Sequence, residues 1–162
     1  MSQNIEQERI RQLNDHPENK DHDYVLYWMQ QSQRTDFNHP LEFAIVKAND
    51  LNKPLLVVFG LMDDYPDANL RHYYFMLEGL REVKQDLEKR NIRMIVAHGN
   101  PADVAMRYAE KACAIIFDMG YLRHQRQWRD QVARKAEVIV WQIESDLIVP
   151  IEVVSQKQEY AA

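Results

Sequence analysis

The chain has 162 residues, of which 46% are hydrophobic and 28% charged, with four glycines, six prolines and a net charge of -5. That is one domain's worth of ordinary globular composition, which excludes collagen-like, low-complexity and wholly disordered readings. No apolar run reaches the roughly 18 residues of a membrane span, the polar start is no secretory signal, and the acidic balance gives no global attraction to phosphate, so no membrane and no nucleic acid bound by this chain alone is expected.

Residues 1–23, where Asn14, Asp15, Pro17, Asn19 and Asp21 break any apolar repeat, read as an irregular arm that would need a partner to become ordered. Residues 24–29 are a compact apolar and aromatic run, the pattern of a strand buried on both faces. Leu41, Phe43, Ala44, Ile45, Ala48 and Leu51 then fall at helical spacing, and residues 54–59, rich in Leu and Val, give a second strand. An acidic loop with Asp63, Asp64 and Asp67 leads into the longest helix and is expected to cap it. The expected inner stripe of that helix is Leu70, Tyr74, Leu77, Leu80, Val83 and Leu87. Residues 92–97 form a third strand, Asn100 and Pro101 start a helix running to about Lys111, and residues 114–118 form a fourth strand. A basic helix over residues 122–134 is expected to turn Leu122, Trp128 and Val132 inward. Its run of Arg123, His124, Arg126, Arg129, Arg134 and Lys135 is left as a solvated or docking face. Residues 138–143 are a fifth strand.

Five strands alternating with four helices require parallel strands joined by right-handed crossovers. The expectation is a three-layer, Rossmann-like α/β domain over residues 24–143, with strand order 3-2-1-4-5 and a connecting segment over residues 144–162. In such sheets ligands bind beyond the carboxyl ends of the strands, where the strand order reverses. The candidate crevice is therefore lined by Met29, Gln30, Gln31, Ser32, Asp118 and Met119 and flanked by Phe59, Gly60 and Leu61. Gly60, Gly99 and Gly120 follow three of the strands, where glycine either admits a ligand close to the backbone or simply turns the chain.

The chain lacks the motifs of common chemistry. It has no G-x-G-x-x-G, no phosphate-cradling G-x-x-x-x-G-K-[ST] and no G-x-S-x-G elbow, and its six histidines show no metal-ligand spacing. The lone Cys113 can form no internal disulfide and has no sequence neighbour to lower its pKa, so it reads as core in a reducing, cytoplasmic setting. No catalytic and no metal-binding residue is assigned.

The stretch Tyr24-Val25-Leu26-Tyr27-Trp28-Met29-Gln30-Gln31-Ser32-Gln33-Arg34, followed by Asn38, Leu41, Glu42 and Ala44, closely resembles the opening strand and loop of the DNA photolyases. The likeness continues in Val57-Val58-Phe59-Gly60-Leu61, in Arg71-His72-Tyr73-Tyr74-Phe75-Met76-Leu77-Glu78-Gly79-Leu80, in Leu122-Arg123 with Trp128, in Val149-Pro150-Ile151, and in the run from Ser155 to Ala162. Met29, Gln30 and Ser32 depart from the class I opening W-F-R-x-D-L-R and make the stretch most similar to the class II branch.

The resemblance implies the N-terminal α/β domain of an enzyme whose second, helical domain holds FAD and the lesion. There, excited reduced flavin donates an electron to a cyclobutane pyrimidine dimer flipped out of DNA. The chain is then expected to be a piece of that enzyme, without repair activity or FAD of its own. Its partners would be its own C-terminal FAD domain and, through that domain, dimer-containing DNA, in a cytoplasmic or nucleoid-associated setting. The family's α/β domain often carries a light-harvesting pigment, here an 8-hydroxy-5-deazaflavin or a reduced folate, and the strand-end crevice is where it would sit. A cryptochrome-like photoreceptor and a stand-alone nucleotide-binding or electron-transfer module are the alternatives.

Overall fold

Strands buried on both faces must be apolar at every position, and the runs that meet this condition set the frame of the molecule. A computed structural model describes residues 5–154. After a 3-10 turn at Gln7–Arg9 come β1 (Ile10–Gln12), β2 (Tyr24–Trp28), α1 (His39–Leu51), β3 (Leu55–Leu61), α2 (Leu70–Lys89) and β4 (Arg93–His98). These are followed by α3 (Pro101–Ala109), β5 (Ala112–Asp118), α4 (Arg123–Lys135), β6 (Val140–Ile143) and the short α5 (Ile151–Val154).

The strands form one sheet in the order β1-β6-β5-β2-β3-β4. From β2 to β6 every pairing is parallel, and the order of those five strands is the expected 3-2-1-4-5. Helices α1 and α2 cover one face over Val25, Tyr27, Val57 and Phe59, while α3 and α4 cover the other over Leu26, Trp28, Val58 and Phe117.

The sheet has six strands rather than five. The extra one lies in the segment expected to be irregular, where β1 pairs antiparallel with β6 through Ile10↔Ile143 and Gln12↔Trp141. The polar residues beyond it also act as strand partners. The Asn14 side chain donates to the Val138 carbonyl at 3.0 Å and accepts from the Val140 amide at 3.1 Å, and the Ile139 amide donates to the Pro17 carbonyl. An asparagine side chain has the donor and acceptor of a peptide group, so residues 10–17 of this arm are held by their own chain.

Three helix expectations are corrected. In α2 only Leu80, Val83 and Leu87 are buried, whereas Leu70, Tyr74 and Leu77 are exposed, Tyr74 to 65%. The inner stripe continues instead through the half-buried Met76 and Tyr73, at i, i+3 and i+4 spacing from Leu80. The cap of α2 is Asn69, whose side chain accepts from the Arg71 and His72 amides while His72 reaches back to the Asn69 amide. Asp63, Asp64 and Asp67 do not cap it. In α4, Leu122 is 53% exposed and Trp128 half-buried, while Arg129 is buried. The starts of α1 and α3 carry their asparagine caps, Asn38 accepting from Leu41 and Asn100 from Ala102. Cys113 is buried as expected, and burial pushes its thiol pKa up.

The start of the connecting segment is bonded to the domain. Arg9 donates to the Leu147 and Ile148 carbonyls, Arg34 pairs with Asp146 at 2.9 Å, and the Ile151 amide donates to Glu144. The expectation of a loosely held segment from Ser155 onward lies outside the described residues.

The revised α2 stripe predicts that Leu87→Ala costs about 2 to 5 kcal/mol, as truncation of a fully buried leucine does. By contrast, Tyr74→Ala should change stability by no more than about 0.5 kcal/mol. Urea unfolding of the two variants checks this, and a Tyr74→Ala loss comparable to that of Leu87→Ala would restore the stripe read from sequence.

Candidate functional site

The strands β2 and β5 lie side by side at the centre of the sheet, Trp28 opposite Phe117, and β5 ends one residue later at Asp118. The chain leaving β2 turns across that end. Three successive amides of the turn point at the Asp118 carboxylate, with Oδ2 accepting from Gln30 at 3.0 Å and from Gln31 and Ser32 at 2.8 Å each. Oδ1 accepts from Arg129 Nη2 at 2.6 Å, and Arg129 also donates to the carbonyls of Asp118 and Gln125. Both charged side chains are almost wholly buried. A buried ion pair gains little by attraction alone, because desolvation offsets it, but here all three guanidinium nitrogens donate and both carboxylate oxygens accept hydrogen bonds.

The surroundings are shaped to this pair. The guanidinium lies 5.5 Å from the Trp28 ring centre and 5.8 Å from that of Phe117, and those rings meet edge to face at 5.6 Å. Gly120 leaves room for it, since a Cβ there would stand 2.4 Å from Arg129 Nη1. The buried Tyr27 hydroxyl bonds to Asn38, and burial together with the Asp118 carboxylate holds its pKa well above the ordinary value, so it remains a neutral donor. Ser32 is buried too, its hydroxyl donating to Asp146 at 2.8 Å.

Above this pinned turn a cleft of about 360 Å³ opens between the ends of β2 and β3, the start of α2 and the side of α4. Phe59, Leu61, Met62, Met76 and Trp128 give it apolar walls, and Gln31, Tyr65, Tyr73 and Gln125 give polar edges. Gln30 also lines it but is occupied, accepting from the Trp28 indole and the Gly60 amide and donating to the Gly60 carbonyl at 2.9 Å. Gln31 Oε1 accepts from Gln125 at 2.8 Å, which leaves the Gln31 amide group as a donor on the wall. Tyr65 closes one side. Its hydroxyl bonds His124 Nε2 at 2.8 Å, its amide donates to the Tyr73 hydroxyl, and His124 packs edge-on against Trp128 at 5.0 Å.

Of the nine crevice positions read from sequence, Gln30, Gln31, Phe59 and Leu61 line the cleft. Met29, Ser32, Gly60, Asp118 and Met119 do not. Met29, Ser32 and Asp118 are buried beneath it, where Asp118 spends its acceptors on the chain's own backbone. Gly60 admits helix α3 rather than a ligand, because a Cβ there would stand 2.6 Å from Pro101 Cα. The cleft is accordingly displaced from the end of β5 towards β3 and α2. Gln33, Met62, Tyr65, Ala68, His72, Tyr73, Met76, Gln125 and Trp128 complete it, and sequence reasoning did not place them there. Tyr73 and Met76, three apart, are half-buried on the cleft side of α2, while Tyr74 and Phe75 between them face outward.

Among the described residues no group of three or more His, Cys, Asp or Glu could hold a metal ion, and no helix is long and apolar enough to cross a membrane. The cleft offers apolar surface with orienting donors and acceptors, which suits binding of a flat, partly polar molecule.

The "DNA photolyase" family model matches residues 25–162. The chain belongs to the DNA photolyase family. It is 48% identical over 98% of its length to a deoxyribodipyrimidine photo-lyase of Methanothermobacter thermautotrophicus, of which it covers 36%. It is also 36% identical over 85% of its length to the deoxyribodipyrimidine photo-lyase of Potorous tridactylus, covering 26% of it. The chain thus spans about a third of the length of these photolyases, or less. In fold it is similar to a bacterial class III photolyase from Agrobacterium tumefaciens, with a TM-score of 0.61 and 15% identity over 76% of this chain and 26% of that one. It is also similar to a universal stress protein in complex with cAMP, with a TM-score of 0.52 and 16% identity over 76% of this chain and 99% of that one.

The pin predicts that Asp118→Ala, which leaves Arg129 and three turn amides buried without their acceptor, destabilises this photolyase-family domain by about 3 to 5 kcal/mol. Chemical denaturation measures it, and a loss below about 1 kcal/mol, the size of an exposed pair, would contradict the assignment.

Proposed function

We propose that the chain is the light-harvesting α/β domain of a deoxyribodipyrimidine photolyase of the class II branch. In the whole enzyme, repair of pyrimidine dimers in DNA would be carried by FAD in a second domain. The observation that carries this reading is the 48% identity over 98% of the chain to a protein of that activity. The branch rests on Met29, Gln30 and Ser32 within the opening motif.

The described residues do not fit FAD. A cleft of about 360 Å³ is near the lower end of ligand pockets, roughly 300 to 1,000 Å³, and would leave most of a dinucleotide outside. They do fit one planar ring system such as an 8-hydroxy-5-deazaflavin, with a reduced folate as the second candidate. Such a pigment, when bound, supplies absorption and passes excitation onward without bond chemistry. Phe59, Leu61 and Met76 would pack on its faces, Trp128 would close one edge, and the Gln31 amide and Tyr73 hydroxyl would orient its polar groups. This task needs no acid, base or nucleophile. The Gln30–Gly60 and Gln31–Gln125 bonds hold the walls in place before a ligand arrives, which lowers the ordering cost of binding.

The test belongs in the whole polypeptide. Leu61→Trp, which fills the cleft from a half-buried position, should abolish the antenna absorbance. Flavin content and repair driven by direct flavin excitation should stay within about twofold, because the flavin carries that chemistry. Unchanged antenna content would place the pigment elsewhere, and a whole polypeptide that binds flavin yet repairs no dimers would reject the repair reading.

A further inference from the structure

A side-chain amide or a neutral imidazole has one end that donates and one that accepts, and its partners decide which end is left for a ligand. In the cleft those partners trace back to N–H groups that can only donate. Gln30 Oε1 accepts from the Trp28 indole and the Gly60 amide at 3.0 Å each, so beyond its bond to the Gly60 carbonyl the residue has only the second hydrogen of Nε2 to offer. The Leu122 amide donates to Gln125 Oε1 at 3.2 Å, Gln125 Nε2 therefore donates to Gln31 Oε1 at 2.8 Å, and Gln31 is left with its Nε2. The Tyr73 hydroxyl accepts from the Tyr65 amide at 3.1 Å and keeps its proton to give. At His72, Nδ1 accepts from the Asn69 amide at 3.2 Å, which puts the proton of the neutral ring on Nε2. All four residues line the cleft. The exposed Gln33 at its lip is the exception, donating to the Gln30 carbonyl at 3.1 Å and keeping its own oxygen.

We infer that the cleft selects its ligand by hydrogen-bond polarity: it takes a flat heterocycle edged with carbonyl or ionised oxygens and rejects one of the same outline edged with amino groups. Gln125 is the positioning residue that sets this polarity at Gln31. A backbone amide at the start of α4 orients Gln125 and Gln125 orients Gln31, so the donor on the wall is fixed before any ligand arrives. An amino group placed against such a donor leaves both groups without an acceptor in a largely apolar site, a loss that good shape does not recover. The inference rests on the reading of the cleft as a pigment site and adds to it the edge chemistry that the site accepts.

Two bicyclic probes of one size test it: lumazine, the dioxo form of pteridine, and the corresponding diaminopteridine, in which both carbonyls are replaced by amino groups. Each is titrated into the 162-residue chain near neutral pH, with Trp128 fluorescence and the amide signals of residues 30–32 reporting occupancy of the cleft. Lumazine should bind about tenfold more tightly or better, the cost of one buried donor left unmet. Gln125→Glu still accepts from the Leu122 amide but turns an acceptor towards Gln31, so the Gln31 amide turns over, shows its oxygen to the cleft and inverts the preference. Adding Gln31→Leu to that variant should abolish the inversion, which separates the turned amide from the new charge. Because a buried glutamate can cost the fold, Gln31→Leu alone is the second arm: it should cut the wild-type preference by about threefold or more, with thermal melting as the check on folding. Equal affinities in the wild-type chain, tighter binding of the diamine, or binding of neither probe overturns the inference. So do variants that weaken both probes alike, which would make Gln125 merely structural. The photolyase reading fails separately: a whole polypeptide that repairs dimers and carries its antenna, but whose α/β domain shows no preference between the probes, keeps that reading and loses this one, and a preference without repair does the reverse.

Discussion

One buried carboxylate organises the functional end of this domain. Asp118 terminates the central strand β5 and gathers three backbone amides of the neighbouring turn and one guanidinium from α4. An apolar pair of equal volume could match it in stability but could not hold three successive amides in one direction. Because residues 30–32 are fixed, Gln30 can bridge to Gly60 and Gln31 to Gln125. Because Arg129 is fixed, α4 presents Gln125 and Trp128 to the cleft. The cleft therefore depends on a residue that does not line it.

The sheet was legible in the sequence because buried parallel strands must be apolar throughout, and Val57, Val58, Ile115 and Ile116 could serve no other element as well. The strand β1 was not, because three residues are too few to show a period and its neighbours Asn14 and Pro17 pair through side-chain or carbonyl groups that hydropathy ignores. Arg129 was grouped with solvated arginines by charge. Its position told otherwise: it falls four residues after Gln125 and three before Val132, on the buried stripe of α4. For the candidate site, topology pointed to the end of the sheet where the cleft opens and to four of the residues that line that cleft. It missed the displacement towards α2, which follows from Asp118 filling the switch point with the chain's own backbone.

The fold alone does not decide the function. A photolyase and a universal stress protein match this sheet with TM-scores of 0.61 and 0.52, and both do so at low identity. What separates the possibilities is the order of irregular motifs along the chain and the character of the cleft. The cleft itself is an apolar slot with amide edges held by the Gln30–Gly60 and Gln31–Gln125 bonds.

The claim that Asp118 fixes the cleft from below is tested most directly by residue-resolved amide exchange at Gln30, Gln31 and Ser32. These amides belong to no helix and no strand. Bonded to a buried carboxylate, they should exchange only by the large openings that expose the central strands, with rates close to those of Tyr27 and Ile116. Exchange at the rate of an unprotected turn would mean that the carboxylate does not hold them and that the cleft owes its shape to something else.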